Sequence, residues 1–269
     1  MGYTRRILDT ELDELFGVLA ALAIDGAKGV GKTTTAEQRV ADVVRLDSRA
    51  SREAIEAEPE QLLTHPRPLL LDEWQKVPAV WDVVRRSVDR DRSGGQFLLA
   101  GSATPVAGAT AHSGAGRIGR LRMRPMTLSE RGVAEPTVSL RELLSGSRGS
   151  LAGSTRLRLS DYVEEIVASG FPGMRDLPAR ALRFQLDSYL HNAVDRDVPD
   201  QGLAVRRPEA MLAWLRAYAA ASATTASYSQ ILDAATPGQS DKPARSTSVA
   251  YRDVLAGIWL LDPVPAWVP

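Results

Sequence analysis

The first part of the chain alternates short apolar runs with amphipathic stretches. The apolar runs lie at residues 19–25, 43–47, 69–72 and 97–101, and a fifth strand is predicted over Arg117–Arg124. The stretches between them, at 32–40, 51–63 and 79–89, place apolar residues three and four positions apart. Unbroken apolar runs are typical of strands buried on both faces, and the second spacing is that of helices. Residues 1–20 show helical spacing too. This alternation predicts a parallel α/β sheet with helices on both faces.

Beyond residue 132 the pattern changes. Residues 133–157 are rich in Ser, Gly and Arg and show little periodicity, so we predict a linker or mobile loop. Residues 158–222 are predicted to be helical, with a capped helix start at Ser160 and helices over 178–197 and 207–222.

The last stretch, residues 223–269, has the outline of a winged helix that is only partly present. Helices are predicted over Tyr228–Ala235 and Ser246–Leu255, followed by a strand over Gly257–Leu261. In that arrangement Arg245 and Arg252 could face DNA phosphates. The alternative is a helical subdomain that packs against the first domain and never touches DNA.

Composition narrows the class of protein. The 269 residues carry no net charge and include no cysteine, which excludes a disulfide framework, a cysteine nucleophile and a cysteine zinc site. No apolar run approaches the ~20 residues that span a bilayer, and no export signal is evident. We therefore expect a cytoplasmic protein without a membrane partner. Balanced charge also argues against a surface that coats nucleic acid.

One motif dominates the candidate chemistry. Gly26–Thr33 fits the pattern G-x-x-x-x-G-K-[ST] between a predicted strand and a predicted helix. Glycines let such a loop curl so that its N–H groups point at phosphates. We expect Lys32 to reach the β- and γ-phosphates and Thr33 to ligate Mg²⁺. The phosphate-binding residues are predicted to be Gly26, Gly29, Val30, Gly31, Lys32, Thr33 and Thr34.

Two carboxylates follow the third predicted strand. Asp72 at the strand tip is expected to hold Mg²⁺, and Glu73 to activate the attacking water. Ligands of open α/β sheets bind at the carboxyl ends of the strands, where these residues should lie. The fourth strand ends near Ser102 and Thr104, either of which could contact the γ-phosphate or the water.

A flexible stretch, His112–Arg117, delivers an arginine that could stabilise the transition state, either within one chain or across a homo-oligomer. Arg117 is therefore a candidate catalytic residue. The histidines at 65, 112 and 191 share no metal-binding spacing. No Asn-Lys-x-Asp guanine reader is present, which favours ATP over GTP.

The motifs resemble, in order, those of the AAA-type P-loop ATPases that carry a DUF4143 region. The matching segments are Gly26–Thr35, Leu71–Pro78, Trp81–Arg86, Leu99–Ala103, His112–Arg117, Arg124–Met126, Ser169–Pro172 and Arg196–Asp197. The resemblance implies a P-loop NTPase core of the AAA (ASCE) type over residues 1–132, a helical lid and a winged helix. It also implies a further α/β region, so a chain that stops at Pro269 is expected to be a truncated product.

These features predict an ATP-binding protein, with Mg²⁺-dependent hydrolysis coupled to a conformational change. One alternative is an ATP-dependent switch that binds DNA or a protein partner and hydrolyses little. Another is a small-molecule kinase, although the carboxylate pair at Asp72 and Glu73 favours water as the phosphate acceptor.

Overall fold

The computed structural model describes residues 2–103, 114–146, 151–238 and 244–264. Its strands are β1 (Ala21–Asp25), β2 (Asp42–Arg45), β3 (Leu69–Asp72), β4 (Phe97–Gly101) and β5 (Ile118–Arg122). They form one five-stranded sheet in the order β2-β3-β4-β1-β5. Every neighbouring pair is parallel, so the predicted parallel α/β sheet is confirmed.

Helices accompany this sheet and continue beyond it. In chain order they are α1 (Ile7–Phe16), α2 (Lys32–Glu37), α3 (Arg49–Ala57), α4 (Ala79–Arg90), α5 (Leu140–Leu144), α6 (Leu159–Ala168), α7 (Ala179–Asn192), α8 (Val198–Asp200), α9 (Pro208–Ala220), α10 (Tyr228–Ala235) and α11 (Arg245–Gly257). Short 3-10 helices cover Pro59–Thr64 and Trp74–Lys76, and a π-helix covers Ala193–Asp197. No helix within the described ranges combines the length and the apolar character needed to cross a membrane.

The sheet is buried on both faces because successive strand side chains point to opposite sides. In β3, Leu69 and Leu71 pack with apolar residues of α3 and α4, including Ile55 and Val84. Leu70 faces the other way and packs with residues of α1 and α2. Helices thus cover both faces, as the unbroken apolar runs predicted.

A third apolar cluster forms outside the sheet. It is built from the π-helix and α8 to α11, with Trp214 of α9 buried at its centre. The indole N–H of Trp214 donates to Ser248 Oγ on α11 at 3.1 Å, so this polar edge is satisfied. Residues 193–258 therefore contribute a core of their own.

Several boundaries differ from the sequence predictions. The predicted helix over 51–63 breaks after Ala57, because Pro59 removes a backbone donor, and continues as a 3-10 helix. The helix predicted to start at Ser160 begins one residue earlier, where the Asp161 carboxylate accepts the N–H of Arg158 at 2.7 Å. The predicted linker 133–157 contains α5, whose start is capped by Ser139 Oγ.

The strand predicted over Gly257–Leu261 is wrong. Helix α11 runs to Gly257, and Trp259 turns into the left-handed region with φ of 63°. The N–H groups of Leu260 and Leu261 then return to the carbonyl of Leu255, at 2.9 and 3.2 Å. The apolar run is buried because Ile258 joins the third cluster while Trp259 packs against the sheet. No wing strand is present among the described residues of this region.

Candidate functional site

The P-loop has the backbone that its glycines predict. Gly29 and Gly31 have φ of 78° and 102°, a region that other residues rarely adopt. At Gly26 the reason is space, since a Cβ there would lie 2.2 Å from the carbonyl oxygen of Met123. The loop emerges from β1 and leads directly into α2 at Lys32.

Lys32 is almost completely buried, at 5% exposure. Its ammonium group donates to the carbonyls of Gly26 and Ala27, at 2.8 and 2.9 Å. Burial lowers the pKa of Lys32, and the charges of Glu73, Asp72 and Asp25 act in the opposite direction. A buried cation with only neutral acceptors gains from an anionic partner, which phosphate would supply.

Thr33 and Asp72 meet across the loop. The Thr33 hydroxyl donates to Asp72 Oδ1 at 2.8 Å. Burial raises the pKa of Asp72, while the hydrogen bond from Thr33 opposes that shift. A hydroxyl beside a carboxylate, next to a phosphate-binding loop, is an oxygen donor set that suits Mg²⁺, which takes one or two protein ligands and completes its shell with phosphate and water. Both predicted metal ligands therefore lie together, and the residues fit the ion.

Glu73 follows β3 with φ of 54°, in the left-handed region. One carboxylate oxygen, Oε2, accepts the Ser102 hydroxyl at 2.8 Å and the side-chain amide of Gln75. The register explains the meeting, since Asp25 of β1 lies opposite Gly101 and Asp72 of β3 opposite Ala100. The structure thus brings together the P-loop, Asp72, Glu73 and Ser102 at one edge of the sheet.

A cavity of about 660 Å³ lies over the P-loop. From the predicted site it is lined by Gly29, Gly31, Lys32, Thr33, Thr34 and Glu73. The rest of its wall comes from three other segments, represented by Tyr3, Met126 and Pro172. Ser102 is buried and does not line this cavity; it contacts Glu73 instead.

Arg6 contacts the P-loop and lines the cavity, although the sequence did not predict it as part of the site. This side chain is 5% exposed. Its guanidinium donates to the carbonyls of Val30 and Arg124, both at 2.7 Å, and to Glu130 at 3.0 Å. It therefore ties the amino-terminal segment to the P-loop and to the chain after β5. Nothing in the local sequence distinguishes Arg6 from a solvated surface arginine.

The helical region also contacts the P-loop and the turn after β3. Lys28 of the P-loop forms an ion pair with Asp197 of the π-helix, and Tyr189 of α7 donates to the Lys28 carbonyl at 3.1 Å. Burial raises the pKa of Tyr189 to about 12. The Nζ atom of Lys76, three residues after Glu73, lies 3.5 Å from Oδ2 of Asp200 in α8.

Arg117 lies at the wrong edge of the sheet for a role in its own chain. It immediately precedes β5, whose first residue Ile118 is opposite Ala21, the first residue of β1. The P-loop follows the last residue of β1, roughly 15 Å away at 3.3 Å per residue. Arg117 instead pairs with Asp89 near the end of α4, at 2.8 Å. The other residues predicted nearby, Thr104 and His112, lie outside the described ranges.

The two arginines that were predicted to face DNA differ in their surroundings. Arg252 is paired with Asp253 and donates to the Tyr228 hydroxyl at 3.1 Å, so its guanidinium is held within its own helical unit. Arg245 is exposed at the start of α11. Elsewhere in the described chain, no cluster of three or more His, Asp or Glu side chains is arranged to hold a metal.

The fold and the site agree with the family comparison. Residues 20–131 match the family model AAA_14, described as an AAA domain. Over this stretch, which holds the sheet and the P-loop, the chain is similar to an AAA domain. Residues 159–269 match a different family model, described as a domain of unknown function, DUF8612. The DUF4143 region that the resemblance implied is therefore wrong for this part of the chain.

Solved structures are only weakly similar to this chain. The ORC1 protein of Aeropyrum pernix, solved in complex with DNA, aligns over 94% of this chain and 84% of its own, with 14% identity and a TM-score of 0.34. AMPPCP-bound DnaA from Aquifex aeolicus aligns over 95% and 89%, with 15% identity and a TM-score of 0.33. No curated protein matches the chain. Both TM-scores are low, so the fold assignment rests on the parallel sheet and the P-loop.

Proposed function

We propose that this chain is a Mg²⁺-dependent ATPase whose hydrolytic cycle changes the contact between the AAA domain and the helical region. The observation that carries the proposal is the convergence of four side chains on one edge of the sheet. Lys32, Thr33 and Glu73 line one cavity, and Asp72 is bonded to Thr33. Binding alone would not need Glu73 there.

Each residue takes a distinct part in the proposed reaction. The P-loop N–H groups and the Lys32 ammonium bind the β- and γ-phosphates. Thr33 and Asp72 would hold Mg²⁺, which when bound neutralises charge on those phosphates. Glu73 orients a water molecule against the γ-phosphorus and accepts its proton as the bond to the β–γ bridging oxygen breaks. The products are ADP and inorganic phosphate.

The outer part of the cavity fits a nucleoside. Tyr3, Met126 and Pro172 offer apolar surface beside the P-loop, and sites for bases combine such surface with a few polar groups. We propose adenine because the sequence contains no Asn-Lys-x-Asp guanine reader. The helical region supplies Pro172, so nucleotide and helical region share one cavity.

Coupling to the helical region is proposed from two of its ion pairs with the AAA domain, those of Lys28 and Lys76. Lys28 lies in the P-loop and Lys76 follows Glu73, and each meets an aspartate of the segment Asp197–Asp200. Phosphate entering the cavity would compete with Asp197 for Lys28. Occupancy of the site would then alter how the helical region is held.

The decisive experiment is Glu73→Gln, assayed by release of inorganic phosphate from ATP. We expect turnover to fall by about 100-fold or more, which is the usual contribution of a general base, while binding of ATP persists. Glu56→Gln, an exposed substitution on α3, is the matched control and should behave as wild type. Unchanged turnover in Glu73→Gln would exclude Glu73 as the base. Phosphorylation of an added small molecule without phosphate release would indicate a kinase.

A further inference from the structure

Gln75 is a close neighbour of Glu73 to which the sequence motifs assign no role. It lies in the 3-10 helix Trp74–Lys76, two residues after Glu73. Its side-chain nitrogen donates to Glu73 Oε2 and, at 3.1 Å, to Ser102 Oγ. The Ser102 hydroxyl in turn donates to the same Oε2 at 2.8 Å. The three side chains form a closed triangle of hydrogen bonds.

The triangle uses every group in a consistent direction. The amide of Gln75 has two N–H donors, and Ser102 has one O–H donor and can accept as well. Glu73 Oε2 therefore receives two donors, one from each neighbour. Both donors engage Oε2 and neither engages Oε1, and Glu73 lines the cavity over the P-loop.

Packing holds Gln75 in place from behind. A Cβ added to Gly101 at the end of β4 would lie 3.2 Å from Gln75 Oε1 and 2.8 Å from Trp74 Nε1. Trp74 is 1% exposed and stacks on Trp81, with ring centroids 4.6 Å apart. The 3-10 turn thus lies between β4 and α4, and the burial of Trp74 fixes the backbone from which Gln75 reaches Glu73.

We propose that Gln75 is a positioning residue, which holds the Glu73 carboxylate and the Ser102 hydroxyl so that Glu73 Oε1 faces the attacking water. The inference rests on the proposed ATPase function. Gln75 itself touches neither nucleotide nor water in this role. It acts through Glu73, whose backbone lies in a sparsely populated region and needs support from its surroundings.

The test compares Gln75→Ala and the isosteric Gln75→Glu with wild type in steady-state phosphate release. Misplacing a reacting group by about 1 Å costs up to about 100-fold in rate. We expect kcat to fall roughly 10- to 100-fold in both variants, with KM for ATP within about twofold of wild type. Gln61→Ala, exposed in the other 3-10 helix, is the control. Gln75→Glu keeps the side-chain volume, so it remains informative if Gln75→Ala folds poorly.

The outcomes separate this inference from the proposed function. Wild-type kcat in a folded Gln75 variant would overturn the positioning role while Glu73→Gln still abolishes turnover. A KM that rises in step with the fall in kcat would also overturn it, because that result indicates general damage to the nucleotide site. If Glu73→Gln itself retains turnover, the proposed base is wrong and the role of Gln75 fails with it.

Discussion

At the scale of single residues, burial and function oppose each other in the proposed phosphate-binding site. Asp72 and Lys32 are 9% and 5% exposed. Burial raises the pKa of Asp72 and lowers that of Lys32, so it favours the neutral form of each side chain. Each charged form is therefore less stable in the folded protein than in the unfolded chain. Such sites commonly reduce stability in return for activity. The nucleotide and its metal would provide the missing charges.

Asp72→Asn should show this opposition directly. Burial raises the folded-state pKa of Asp72 above its ordinary value of 3.8. Protonated Asp72 therefore adds to the free energy of unfolding below pH 3.8, and this stabilisation is lost as the pH rises through the folded-state pKa. We expect the nucleotide-free variant to unfold at a higher temperature than wild type near neutral pH, with the difference shrinking as the pH falls toward 4.

Thermal unfolding of both proteins across that pH range measures the difference. The same variant should lose Mg²⁺-dependent turnover. Glu56→Gln, at an exposed position of α3, controls for the loss of one negative charge. A variant that is less stable than wild type at neutral pH would show that the hydrogen bond from Thr33 outweighs the burial of Asp72.

At the scale of elements, the π-helix connects the helical region to the P-loop. A π-helix widens the backbone by one residue per turn and is often found at functional sites. Here it follows α7 without a break, and it presents Asp197 to Lys28. The ring of Tyr189 in α7 lies tilted against that of Phe171, with ring centroids 5.0 Å apart, and its hydroxyl donates to the same loop. Helix α7 and the π-helix therefore both contact the P-loop at Lys28.

Asp197→Asn should remove the ion pair with Lys28 without unfolding the protein. The Lys28 side chain is 47% exposed and that of Asp197 is 17% exposed, so we expect a loss of stability of about 1 kcal/mol or less. Hydrogen exchange of the P-loop amides should become faster in the nucleotide-free state. The neighbouring exposed substitution Asp195→Asn should leave exchange unchanged. Identical exchange in both variants would show that the ion pair does not restrain the loop.

At the scale of the whole molecule, the site has cavity-lining arginines that are already engaged. Arg6, Arg131 and Arg175 line the cavity. Arg6 bonds to two carbonyls and Glu130, and the other two share Glu165, at 3.0 and 2.9 Å. Together with the position of Arg117, this arrangement means that the described lining offers no uncommitted guanidinium to the γ-phosphate.

We therefore expect the transition state to be completed by an arginine from a second copy of the chain. Specific activity should rise with protein concentration and then reach a plateau as the copies associate, because a group supplied in trans acts only in the assembly. Phosphate release measured across about two orders of magnitude in concentration, with the molecular mass followed by light scattering, tests this. Constant specific activity over that range would show that one chain completes its own site.

The sequence alone was enough to predict the parallel sheet and the position of the P-loop within it. Strands buried on both faces read as unbroken apolar runs, and β3 and β4 match their predicted bounds. The P-loop spacing is local, because a handful of consecutive residues supplies its glycines, Lys32 and Thr33. Asp72 and Glu73 could be placed beside it, since parallel strands end at a common edge.

Tertiary packing determines which distant side chains lie at the carboxyl ends of the strands and which do not. Arg117 follows a loop that the sequence could not place, and β5 puts it at the opposite edge. The run Gly257–Leu261 has the composition of a strand, but two different cores bury its residues at the end of a helix. Arg6, Gln75 and Asp197 act through contacts set by packing and not by local spacing, so no periodicity could have revealed them.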